Sequence, residues 1–96
     1  MFTINLYGTV RDIAGGIKRL DVVFEPGGTM ATLLRAVERV NPVLGDAVVD
    51  SSGELTGAVH VVVNGRNIVW LNGLDTVIEA GDEVDFMTPY GGRSHP

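Results

Sequence analysis

Ninety-six residues, 45% apolar and 20% charged, suffice for one small packed domain and leave no room for two. A net charge of −5, with Lys18 as the only lysine, provides no basic stripe for a phosphate backbone, so direct nucleic-acid binding is not expected. The absence of cysteine removes disulfides, thiolate metal sites, iron–sulfur clusters and thiol nucleophiles together.

The chain opens with MFTINLYG, in which Phe2, Ile4 and Leu6 alternate with Thr3, Asn5 and Tyr7, the period-two pattern of a strand with one face on a core. This is not the charged-then-apolar pattern of a signal peptide, and no stretch reaches the roughly 18 to 20 apolar residues of a membrane span. No membrane association is expected, and the default location is cytoplasmic. Leu20, Val22 and Phe24 repeat the alternation after a loop carrying Gly8 and Gly15-Gly16, so the two runs read as a hairpin that stops at Pro26-Gly27-Gly28. Thr29 is placed to cap a helix in which Met30, Leu33, Leu34, Val37 and Val40 share one side, with Arg35, Glu38 and Arg39 on the other. Asn41-Pro42 ends that helix, and Pro42 to Thr56 reads as a meandering connection with room for one helical turn.

Val59, Val61 and Val63 form the most strand-prone segment, and Asn64-Gly65 supplies a tight hairpin turn from which Ile68 to Trp70 is expected to return as a short strand. Gly81-Asp82 opens a last strand in which Val84 and Phe86 point together. The order is β-β-α-β-β-β, an α+β domain with a mixed sheet and one main helix across one face. Residues 1–88 form the expected domain and residues 89–96 a flexible tail.

The run VNGRNIVWLNGLDTVIEAGDEVDFMTPYGG, Val63 to Gly92, resembles the C-terminal third of the ubiquitin-like sulfur carriers of the MoaD/ThiS family. The shared order is a valine-Asn-Gly turn, a Leu-Asp-Thr segment, a Gly-Asp-Glu-Val strand entry, a proline and a di-glycine. The hairpin, the Thr29 helix and the chain length fit the same family, so the resemblance covers essentially the whole chain. It implies a β-grasp fold and a passive carrier, not an enzyme, with no cofactor of its own. It also implies an ATP-dependent, E1-like adenylating enzyme that acts on the final glycine carboxylate, Gly92, with Gly91 beside it. The product is either a thiocarboxylate, delivered to a sulfur-accepting synthase or sulfurtransferase partner as a molybdopterin synthase small subunit would deliver it, or an isopeptide.

Glycine suits that role on independent grounds, because a chain end threaded through a narrow channel passes most freely without a Cβ. Pro89 and Tyr90 would stiffen the stalk and reduce the entropy lost on docking. Gly-Gly occurs three times, at Gly15, Gly27 and Gly91, and the first two pairs read as turns. The third follows the last strand, where no turn is needed. The chain departs from the family by continuing past Gly92 with Arg93-Ser94-His95-Pro96. Either a protease, such as the metalloproteases that trim some relatives, cuts between Gly92 and Arg93, or the protein does not act through Gly92, or the extension is not native. The usual Pro-Pro-Val-x-Gly-Gly ending is also one residue shorter here, so that without a gap Arg93 would stand in the place of the last glycine.

Other residues offer less chemistry. His60 and His95 lack metal-ligand spacing, so no metal site is expected. Asp82, Glu83 and Asp85 read as solvated protection of a strand edge, and Ser51 and Ser52 have no base in view. The sheet face away from the helix should carry Tyr7, His60, Val62 and Met87, a mixture suited to reversible protein contacts. The competing reading from another class is a β-grasp interaction module or small subunit whose tail is never activated.

Overall fold

The computed structural model describes residues 1–88. The expectations that fall on Pro89, Tyr90, Gly91, Gly92 and Arg93 lie outside the described residues. Five strands form one mixed sheet: β1 (Phe2–Leu6), β2 (Arg19–Val22), β3 (His60–Val63), β4 (Arg66–Asn67) and β5 (Val84–Met87), in the spatial order β2-β1-β5-β3-β4. β1 and β5 are parallel neighbours in the middle, and the other pairs are antiparallel. The first and last strands of the chain thus close the fold against each other. No helix among the described residues is long and apolar enough to cross a membrane.

Period-two alternation puts Phe2, Ile4, Leu6, Leu20, Val22, Val61, Val63, Val84 and Phe86 on the inner face, all buried in one cluster. Across it lies α2 (Met30–Val40), started by Thr29, whose backbone is extended and whose side-chain oxygen accepts the Thr32 amide at 3.4 Å. Met30, Leu33, Leu34, Ala36 and Val37 are its buried residues. Val40 shares their phase but falls in the last turn and is half exposed, so Ala36 completes the stripe in its place.

Three connections differ from the sequence reading. The first loop contains a helical turn, α1 (Val10–Ile13), which buries Val10 beneath the end of the sheet. The connection after Pro42 is a real helix, α3 (Pro42–Val48): Asn41 accepts the Leu44 amide at 3.1 Å and donates to the Ala14 carbonyl at 2.9 Å, and Pro42 occupies the first turn. Ile68–Trp70 is a 3-10 turn and not a strand. The side chain of Asn67 accepts the Val69 amide at 3.0 Å, which curls the backbone away from the ladder after two residues. A second 3-10 turn follows at Gly73–Asp75.

Candidate functional site

The place that matters for a C-terminal activity is where β5 ends, since everything after Thr88 departs from there. Tyr7, directly after β1, donates its amide to the Phe86 carbonyl at 3.0 Å, carrying the parallel pairing to the last described turn of the chain. Gly8 follows with φ +59°, a left-handed conformation that a side chain resists, and a Cβ there would stand 3.7 Å from the Thr88 hydroxyl oxygen. Arg11, on α1, donates through Nε to the Leu6 carbonyl at 2.7 Å, and its guanidinium carbon lies 5.8 Å from the centre of the Tyr7 ring. Tyr7, Gly8, Asp85, Met87 and Thr88 together line a shallow depression at this exit. The root of the tail is therefore held by backbone pairing and by a braced aromatic ring that remains 40% exposed.

Along the outer face, register fixes two rows. One runs Arg19, Asn5, Asp85, Val62, Asn67 across the strands, and the other joins Met87 to His60 at the tail end. Tyr7, Met87 and His60 thus fall at one end of the face, as expected, with Met87 and His60 half-buried. Val62 is on the same face but only 8% exposed, between Asp85 and Asn67, so it adds little surface for a partner.

The acidic cluster has a different place from the one the sequence suggests. β5 is interior, so Asp82, Glu83 and Asp85 protect no edge. Asp85 accepts the Asn5 side-chain amide at 2.9 Å and ties β5 to β1. Asp82 accepts the Glu79 amide at 2.8 Å and the Asn64 side-chain amide at 3.0 Å, which hold its carboxyl below the usual carboxylate range in that order of effect. Asn64 in turn accepts the Glu83 amide at 2.9 Å, so the Asn64-Gly65 turn is locked onto the entry of β5. Asp82 thus holds backbone in place, while Glu83 and Asp85 bond the Asn5 side chain across the sheet.

Ser52 is likewise engaged. Its hydroxyl donates to Asp50 at 2.7 Å, and the Ser52 and Glu54 amides donate to the same oxygen at 2.9 and 3.0 Å. The hydroxyl bond first, then the Glu54 amide, keep the Asp50 carboxyl low. Among the described residues no group of three or more His, Asp or Glu could hold a metal ion. Sequence reading missed the Arg11 brace, because Arg11 lies on a helical turn, Val10–Ile13, that reads as loop, while Tyr7 follows the strand before it. It also missed the pairing of Glu38 with Asp46 across the two helices, where loss of hydration and then the Asp46 carboxyl raise the Glu38 pKa; no local pattern marks that contact.

With a β-grasp body in place, residues 4–92 match the model of the ThiS family. The chain belongs to the ThiS family. The match ends at the second glycine of the Gly91-Gly92 pair and leaves Arg93 to Pro96 outside it. This ThiS-family chain is 28% identical over 89 residues to small archaeal modifier protein 3 of Haloferax volcanii, covering 93% of this chain and 95% of the relative. Two solved structures share its ubiquitin-like β-grasp fold over nearly their whole length. The small archaeal modifier protein 1 of Haloferax volcanii superposes with a TM-score of 0.75 at 25% identity, over 95% of this chain and 97% of that one. CysO of Mycobacterium tuberculosis gives 0.73 at 25% identity, over 90% and 96%. The family is one of small sulfur carriers and modifiers, consistent with a chain that is not an enzyme.

Proposed function

We propose that this protein is a ubiquitin-like sulfur carrier activated at Gly92 after proteolytic removal of Arg93 to Pro96. The observation that carries the reading is that the family match stops at Gly92, the residue whose carboxylate the chemistry requires. An ATP-dependent adenylating enzyme joins that carboxylate to AMP with release of pyrophosphate. Hydrosulfide, sulfur at the sulfide level, then attacks the acyl carbon, the bond to AMP breaks with AMP as leaving group, and the thiocarboxylate that remains serves a sulfur-accepting synthase in cofactor, amino-acid or tRNA thiolation biosynthesis. The domain supplies no nucleophile or base of its own. Its part is to present Gly91-Gly92 on the Pro89-Tyr90 stalk beside an accessible surface formed by Tyr7 and Met87.

A second reading shares the first step and ends in an isopeptide bond, as the name of the Haloferax relative, a modifier protein, suggests. Gly92→Ala tests activation common to both. In the chain ending at residue 92, paired with the adenylating enzyme of the same cells, this change should abolish ATP–pyrophosphate exchange and leave the melting curve unaltered. Undiminished exchange would exclude Gly92 as the activated residue, and a wild-type chain that supports no exchange would favour the non-activated interaction module.

A further inference from the structure

β2 is an outer strand of the sheet, with no strand of the described residues paired along its far side. The Leu6 amide donates to the Lys18 carbonyl at 2.9 Å, so Lys18, Leu20 and Val22 face β1 with their backbone groups. The alternation of an antiparallel pair then turns the amide and carbonyl of Arg19, Asp21 and Val23 outward. Alongside runs a groove between this edge and α2, whose lining includes Met1, Val23, Phe24, Arg35, Ala36 and Arg39. Its floor is firm. Phe24 stacks edge-on against Phe2 with ring centres 5.4 Å apart, and its ring packs so closely on Gly28 that a Cβ there would lie 3.1 Å from it. Its rim is apolar and open: Met1 is 89% and Val23 79% exposed.

The charges give the groove a direction. α2 runs antiparallel to β2, because Thr29 follows shortly after Phe24 and Asn41, at the far end, donates to the Ala14 carbonyl. Arg39 thus lies toward the start of β2, where Lys18 and Arg19 stand. Arg35 and Arg39 line the groove from α2, two guanidinium groups on one flank of a protein of net charge −5. Glu25 marks the opposite end, and Asp21 is held on the outer face by the Thr3 hydroxyl at 2.6 Å.

We propose that the β2 edge and the β2/α2 groove bind an extended segment of a partner protein that adds a strand to the sheet, its apolar residues beside Val23, Met1 and Phe24 and its carboxylates beside Arg35 and Arg39. Backbone pairing supplies the affinity and the two rims supply the polarity. The proposal does not rest on activation at Gly92.

The test uses the full chain, labelled with nitrogen-15, and the synthetic peptide acetyl-Gly-Val-Ile-Val-Asp-Glu-Asp-Gly-amide. Saturable shifts of the amide signals from Arg19 to Phe24 and from Thr32 to Arg39 are expected. The double change R35E/R39E should weaken binding by at least about tenfold, the scale of two reversed surface ion pairs. Val23→Asp, at an exposed position, should weaken it while the melting curve stays in place. A peptide with proline in place of isoleucine keeps the charges but cannot pair, and should not bind. The proposal is overturned by absence of saturable binding up to about 1 mM, by equal affinity of the proline peptide, or by shifts confined to the outer face. Concentration-dependent shifts of β2 without peptide would also overturn it, since a second copy of this chain would then be the occupant.

Discussion

The two faces of the central sheet are built from the same strands and differ in almost everything else. On the inner face Ile4, Leu6, Val84 and Phe86 are fully buried under α2, while on the outer face Asn5, Glu83 and Asp85 satisfy one another through side-chain hydrogen bonds and no layer covers them. Nearly all of the hydrophobic stabilisation therefore lies on one side. The other side carries polar pairs and, at the end of β5, Tyr7 and Met87. Apolar burial and polar pairing thus fall on opposite surfaces of the same short strands.

The sharpest way to break this division is to cut the inner face. Phe86→Ala removes a fully buried ring from the central strand and should destabilise the domain by about 3–5 kcal/mol, read by chemical denaturation. For a domain whose total stability is of the order of 5–15 kcal/mol, much of the population would unfold on modest heating. A loss below about 1 kcal/mol would mean the inner face is not the seat of stability.

A middle-sized effect is expected where the two faces are joined by the hairpin turn. Asn64 has φ +52° and donates to Asp82, so Asn64→Ala both strains the left-handed backbone and removes that bond, at a cost of about 1–2 kcal/mol. The pH dependence has a definite sign. A carboxyl whose folded pKa is lowered stabilises above its unfolded pKa, and that contribution is lost as pH falls through the folded value, below the ordinary carboxylate range. Carbon-13 titration of the Asp82 carboxyl should therefore show a low midpoint in the wild type that rises toward the ordinary value in Asn64→Ala.

The smallest effect belongs to the exposed edge of the sheet. Trp70 is 83% exposed on its 3-10 turn, and Trp70→Ala should change stability by no more than about 0.5 kcal/mol. A larger loss would show that this side of the molecule carries packing that the division above assigns elsewhere.

How far these features were legible in the sequence follows from how local they are. The alternation of Phe2 to Leu6 and of Val84 to Phe86 and the capping by Thr29 depend on neighbours in the chain, and each is found where the pattern put it. The Asn64-Gly65 turn is equally local, joining Val63 to its partner Arg66 through two residues of positive φ. Ile68 to Trp70 misled because β-branched and aromatic residues favour strands, whereas a single side-chain bond from Asn67 decided the turn. α3 was obscured by Gly45, which reads as a loop residue. Its reason is tertiary, since a Cβ there would stand 2.8 Å from the Cα of Glu38 on α2. The acidic residues of β5 were assigned to an edge because strand order is set by the long-range pairing of the first and last strands, which no local window contains. The di-glycine was visible at once, yet its role rests on chemistry performed by other proteins.

The central claim, that the working carboxylate is that of Gly92, is tested most directly by the intact mass of the protein recovered from its native cells. The account predicts a species lacking Arg93 to Pro96, a fraction of it with one oxygen replaced by sulfur. A population that remains at the full 96 residues under all growth conditions would contradict it.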